Sequence, residues 1–141
     1  MYLYIDEYLM IRFNKELSLL KIEWKAESTR LNAESLKIRI DYVYDYFAKH
    51  APKYVLTDCS NLVYRQFNGK EDFLIKKIGS EINSSKIDKL AIVNSTDNVT
   101  HALINRLVLN FQHKKSGAKA FTNSISAQSW LMSRGKQLVA E

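Results

Sequence analysis

Hydrophobic and polar positions alternate on both sides of a short polar break near the N-terminus. The apolar positions are Leu9, Ile11 and Phe13 before the break Asn14-Lys15-Glu16, and Leu20, Ile22 and Trp24 after it. A period of two is typical of a β-strand with one buried face. Two such runs joined by a few polar residues predict a β-hairpin.

Four later segments have helical spacing of their apolar residues. The first extends from Asn32, a candidate N-cap, to Lys49, with Pro52 just beyond its end. The second covers about residues 70 to 83. The third follows the N-cap candidates at 95 to 97, and the last follows Asn123 and carries Ala127, Trp130 and Leu131 on one face.

Short apolar runs separate these helices, as expected for buried strands. They are Tyr54–Leu56, Leu90–Val93 and Ala118–Phe121. Strands that alternate with helices predict right-handed crossovers and a parallel sheet, to which the hairpin adds an antiparallel strand. The predicted fold class is therefore α/β with a mixed sheet, in one domain spanning residues 1–141 with a frayed tail from about Gly135.

The composition of the chain indicates its cellular compartment. A lone cysteine, Cys59, cannot form an internal disulfide, and the first residues lack the basic and apolar regions of a secretory signal. Charged residues interrupt every apolar run before it reaches the roughly 20 residues of a membrane span. We therefore predict a cytoplasmic protein with no integral membrane association.

The net charge of +6 raises the question of a nucleic-acid partner. The basic residues are scattered in ones and twos along the chain, whereas nucleic-acid binders concentrate them on one face. A solvated surface explains this distribution, so we do not expect nucleic acid as a partner.

The order of elements, together with particular residues, resembles the SpoIIAA-like or STAS/Sec14-type domains, which include anti-sigma-factor antagonists. The matching features are Ile22-Glu-Trp24 at the end of the hairpin, Val55-Leu-Thr-Asp58 followed by Ser60-Asn61-Leu62, Leu90-Ala-Ile-Val93, and Ala120-Phe121 with Ala127-Gln-Ser-Trp130-Leu131. The resemblance implies a STAS-like mixed sheet and a regulatory function through protein contacts.

One segment departs from the pattern of that family. Antagonists of this type carry a phosphorylatable Ser or Thr at the start of the helix after the second helix-linked strand. The corresponding residues here, Val63 to Asp72, contain neither Ser nor Thr. The phosphorylation switch of the family is therefore not expected in this chain.

Asp58, Cys59, Ser60 and Asn61 follow a predicted buried strand and form our candidate ligand-binding site. Open α/β sheets bind ligands at the carboxyl ends of their strands. Cys59 could also act as a nucleophile if His50 or His101 were in reach as a base. A small buried cysteine beside an Asp that ties the loop to its own backbone is the structural alternative, which we favour.

No other cluster of residues predicts catalytic chemistry. The three histidines, His50, His101 and His113, share no metal-ligand spacing with one another or with Cys59. The four glycines are too dispersed for a phosphate-binding loop. We assign no catalytic residue, metal or cofactor.

Three tyrosines on the first predicted helix cannot all face the core. Tyr42 and Tyr46 are four residues apart and would lie together at the boundary with solvent. Partial burial explains them, but we also consider them as interface residues in a homodimer or with another protein.

The sequence therefore supports several functions without choosing one. The first is a non-enzymatic protein-interaction or regulatory module, because no nucleophile, base and oxyanion donor converge. The alternative is a domain that binds a small molecule or a lipid-like apolar ligand near Asp58. An enzyme that uses Cys59 ranks third.

Overall fold

The part of the chain that the structure describes contains six β-strands, which form one mixed sheet whose order in space follows their order along the chain. This computed structural model describes residues 1–64, 71–111 and 117–133. The strands are β1 (Tyr2–Ile5), β2 (Leu9–Asn14), β3 (Leu19–Trp24), β4 (Tyr54–Asp58), β5 (Lys89–Val93) and β6 (Gly117–Phe121). The first three are antiparallel, and β3 to β6 are parallel. The predicted α/β class with a mixed sheet is confirmed.

The same described residues form four α-helices, as the periodicity predicts: α1 (Ala33–His50), α2 (Glu71–Ser84), α3 (Asn98–Phe111) and α4 (Ser124–Met132). Asn32 and Asn123 are confirmed as N-caps, since each side-chain oxygen accepts a backbone N–H at 2.8 Å. Asp97 does the same for α3. Within the described residues, none of the helices combines the length and apolar character needed to cross a membrane.

The helices cover the two faces of the sheet unequally. Buried residues of α1, α2 and α3, such as Phe47, Ile82 and Ile104, share one apolar cluster with β2 to β6. On the opposite face, Ala127 and Leu131 of α4 pack against a second cluster formed by Leu19, Leu56, Ala91 and Val93. Three consecutive crossovers of the same hand place α1 to α3 on one side, and α4 covers the other.

Strand β1 was not predicted from the sequence. It pairs with β2, and the register shifts between Tyr2 and Tyr4, so that a bulge interrupts the alternation. Leu3 and Tyr4 both pack against the core on the side of α1. The carbonyl of Leu3 accepts a hydrogen bond from the hydroxyl of Tyr46 at 3.0 Å, which ties this edge strand to α1.

Asp6 joins the turn after β1 to α1. Its carboxylate accepts the backbone N–H groups of Tyr8 and Leu9 at 2.7 and 2.8 Å, the hydroxyl of Tyr4, and the Nε of Arg39 at 2.9 Å. Burial by itself would raise the pKa of Asp6, but these four donors together lower it. The Asp6 carboxylate is therefore held ionised at the junction of β1, β2 and α1.

The predicted tail after Gly135 lies outside the described residues, as does most of the segment from Val63 to Asp72.

Candidate functional site

The loop from Asp58 to Asn61 lies at the carboxyl edge of the parallel strands, where the sequence predicts a ligand site. It is attached to the loop after β5. The N–H of Cys59 donates to the carbonyl of Val93 at 2.9 Å. Thr96 donates to the carbonyl of Ser60 through both its N–H and its hydroxyl, and the hydroxyl of Ser95 donates to the carbonyl of Leu62. These bonds hold the two loops side by side.

Asp58 closes this loop on itself. Its Oδ1 accepts the backbone N–H of Ser60 at 3.0 Å and the Ser60 hydroxyl at 2.6 Å. Such a turn is a common structural use of Asp. Asn61 is exposed. The polar groups of this loop therefore stabilise the turn rather than converge on a common point.

Cys59 is buried, and burial raises the pKa of its thiol to about 12. Its Sγ lies 3.8 Å from the hydroxyl of Thr57. Neither candidate base contacts it, because His50 packs against Phe13 and the Nδ1 of His101 lies 3.1 Å from the carbonyl oxygen of Ser95. Cys59 thus stays protonated and has the environment of a structural cysteine.

An apolar cavity of about 150 Å³ lies between the sheet and helices α1 to α3. Cys59 is the predicted site residue that lines it, whereas Asp58, Ser60 and Asn61 do not. Other lining residues come from β3, β4, β5 and all three helices, and include Ile22, Trp24, Ile40, Tyr44, Val55, Ile82, Ile92, Leu103 and Leu107. The cavity therefore lies within the main core of the protein and is partly open to the surface.

The cavity follows from the spacing of apolar residues on α1. Leu36, Val43 and Phe47 are buried against the sheet. Ile40 and Tyr44 are half-buried, and all five of these residues line the cavity. The periodicity places all five residues on one stripe of the helix, a pattern that predicts ordinary core packing. The periodicity does not indicate whether a space remains between the helices and the sheet.

A second, open cleft lies beyond the ends of β5 and β6. Asn94, His101, Asn105 and Ser126 line it, and none of them is a predicted site residue. The amide of Asn94 donates to the side-chain oxygen of Asn105 at 3.1 Å, so these two amides partly satisfy each other. Ala120 and Phe121 also line the cleft, so its lining is mixed polar and apolar, and the cleft is more open than the apolar cavity.

The two candidate interface tyrosines differ in their surroundings. Tyr42 is 39% exposed and packs against Tyr4, with ring centroids 5.3 Å apart. Tyr46 is half-buried, bonds to Leu3 and stacks on His50. Ile38, one turn before Tyr42, is 49% exposed. Ile38 and Tyr42 therefore form the accessible part of this side of α1.

In the part of the chain that the structure describes, no three His, Cys, Asp or Glu side chains come together as a metal site would require.

Comparison of the chain with protein-family models, with curated proteins and with solved structures finds no match.

Proposed function

We propose that this chain is a non-enzymatic ligand-binding module of the STAS/Sec14 type that holds a small apolar molecule in the cavity between the sheet and α1 to α3. The cavity is the observation that carries the proposal. Protein interiors are packed as densely as organic crystals, and few of their voids exceed a water molecule. A space of about 150 Å³ in the main core is therefore a departure that a ligand explains.

The size and chemistry of the cavity define the class of ligand. Apolar cavities of this volume stay dry and bind molecules such as benzene. An empty cavity of this size costs roughly 3–4 kcal/mol of stability, given about 24 cal/mol per Å³. A ligand that fills the space would recover part of that free energy by restoring contacts with the lining side chains.

A sequential strand order with alternating helices and strands is compatible with the proposed STAS/Sec14 type. The absence of Ser and Thr between Val63 and Asp72 argues against control by phosphorylation there. Regulation by a ligand in the cavity is compatible with this fold and with the missing Ser and Thr, because a ligand that binds only the folded state changes the stability of that state.

Benzene should stabilise the wild-type protein and should not stabilise Leu103→Trp. Leu103 lines the cavity from α3, and an indole at this position extends into the space. At ten times its Kd, benzene adds about 1.4 kcal/mol to stability, which raises Tm by about 5 °C in a domain of this size. Thermal unfolding with and without benzene measures the difference.

The matched control is Leu109→Trp, since Leu109 lies on the same helix but is 59% exposed. This variant should keep the full benzene response. Ile40→Phe, from the opposite wall of the cavity, repeats the test in case Leu103→Trp unfolds. Equal stabilisation of all the variants, or none of the wild type, would contradict the proposal.

Self-association is a second candidate function, favoured by the exposed pair Ile38 and Tyr42 on α1. Two copies of the same stripe can pair around a two-fold axis. Sedimentation velocity should show a dimer at high protein concentration and a monomer for Ile38→Gln/Tyr42→Gln. Ile125→Gln, on the exposed side of α4, should leave the dimer intact. A strictly monomeric wild type would rule this candidate out.

A further inference from the structure

The hydroxyl of Tyr44 has an unusual environment in the wall of the cavity. Tyr44 is half-buried against the core from α1, and it is one of the residues that line the cavity. Its hydroxyl oxygen is shielded from solvent and has no hydrogen-bond partner among the described residues. Buried polar groups in native proteins are almost always paired, so an orphaned hydroxyl needs an explanation.

Other polar groups of the wall are already engaged. The Thr100 hydroxyl donates to Asp97 at 2.7 Å and accepts the N–H of Tyr64, also at 2.7 Å. Thr57 and Cys59 contact each other. Tyr44 is therefore a cavity-lining residue whose buried hydroxyl still lacks a hydrogen-bond partner among the described residues.

The charges around Tyr44 favour a neutral partner. Burial raises the pKa of its hydroxyl, and the carboxylates of Glu81 and Asp41 raise it further, so the group remains a donor. Lys77 lies 3.6 Å from Asp41, but both side chains are at least one-third exposed, so solvent weakens that compensation. An anionic head group beside Tyr44 would face two carboxylates, whereas a carbonyl or ether oxygen would not be repelled.

We propose that the ligand of the cavity is a neutral molecule about the size of a monosubstituted benzene, apolar except for one carbonyl or ether oxygen that accepts a hydrogen bond from Tyr44. This inference rests on the proposed ligand-binding function and names the chemical class of the ligand. It excludes fatty-acid anions, which would place a carboxylate against Asp41 and Glu81.

Two probes of the same shape test the inference. Acetophenone has a carbonyl oxygen where α-methylstyrene has a methylene group. Their Kd values are measured by titration calorimetry for the wild type and for Tyr44→Phe. The preference for acetophenone over α-methylstyrene should fall about threefold to tenfold in the variant, which is the effect of losing one neutral hydrogen bond. Comparing preferences between proteins cancels the different hydration of the two probes.

Tyr46→Phe is the matched control, because it removes a hydroxyl from the same helix that bonds to Leu3 outside the cavity lining. Its preference should equal that of the wild type. Tyr44→Phe removes an unpaired hydroxyl and should fold at least as stably as the wild type, which thermal unfolding without ligand checks. The same preference in the wild type and Tyr44→Phe would overturn this inference while leaving the ligand-binding function intact. Failure of both probes to bind the wild type would overturn both.

Discussion

Replacing Leu131 with alanine is expected to lower the free energy of unfolding by about 3 kcal/mol. Leu131 is 1% exposed, and it packs in the cluster of α4 with Leu19, Leu56, Ala91 and Val93. The truncation leaves a cavity at the contact between α4 and the sheet, and a short helix of nine residues cannot easily move to fill it. Urea denaturation measures the loss, and Tm should fall by about 10 °C.

Ile125→Ala is the control for this prediction. Ile125 is on the same helix but is 80% exposed, so its truncation should change stability by less than about 0.5 kcal/mol. A loss below about 1 kcal/mol for Leu131→Ala would mean that α4 does not bury this face of the sheet as described.

The second large effect is expected for Asp6→Ala, which should cost about 2–3 kcal/mol at neutral pH. The Asp6 carboxylate accepts four hydrogen bonds. Arg39, whose side chain is 17% exposed, loses its ion-pair partner when the carboxylate is removed and, among the described residues, keeps only its bond to the carbonyl of Ser35 and its contact with the Tyr8 ring. Two backbone N–H groups of the turn also lose their acceptor. Chemical denaturation of the wild type and the variant at pH 7 measures the difference.

The pH dependence of this difference follows from the lowered pKa of Asp6 in the folded protein. Its contribution is fully present above the ordinary value of 3.8 and is lost as the pH falls through the lower folded value. The stability gap between the wild type and Asp6→Ala should therefore narrow below about pH 4. Glu7→Ala is the control, because the ion pair of Glu7 with Arg30 is mostly exposed and its loss should be barely measurable. A gap that stays constant down to pH 2 would contradict the assigned role of Asp6.

Most of the elements were predictable because each carries its own local signal. Asn32 and Asn123 cap their helices as their positions before apolar stripes indicate. The alternation around residues 14 to 16 correctly gave the β2–β3 hairpin. These signals depend on residues a few positions apart, which is the range over which periodicity operates.

Strand β1 escaped prediction for a physical reason. Its bulge turns Leu3 and Tyr4 to the same face, so the sequence Tyr2-Leu-Tyr-Ile5 shows no period of two. The sequence also does not predict which face of the sheet α4 covers. Ala127 and Leu131 identify the buried face of the helix, but which strands they meet depends on the strand order.

The candidate site was also predictable only in part. The sequence correctly located Asp58 to Asn61 at the end of a strand. The ligand that we propose would occupy the apolar cavity, and Cys59 is the residue of these four that lines it. Tyr44 belongs to the helical stripe, and its pattern does not distinguish a packed core side chain from one facing a cavity. The difference depends on distances between elements that meet only in three dimensions.

NMR shows directly whether a small apolar ligand enters the cavity between the sheet and α1 to α3. Benzene is titrated into protein with labelled methyl groups, and nuclear Overhauser effects between benzene and the methyl groups are recorded by NMR. We expect saturable contacts with Ile92 and Leu103, which line the cavity, and none with the exposed Leu109 and Ile125. Contacts that are absent, or that are equal at lining and exposed methyl groups, would contradict the proposed ligand-binding function.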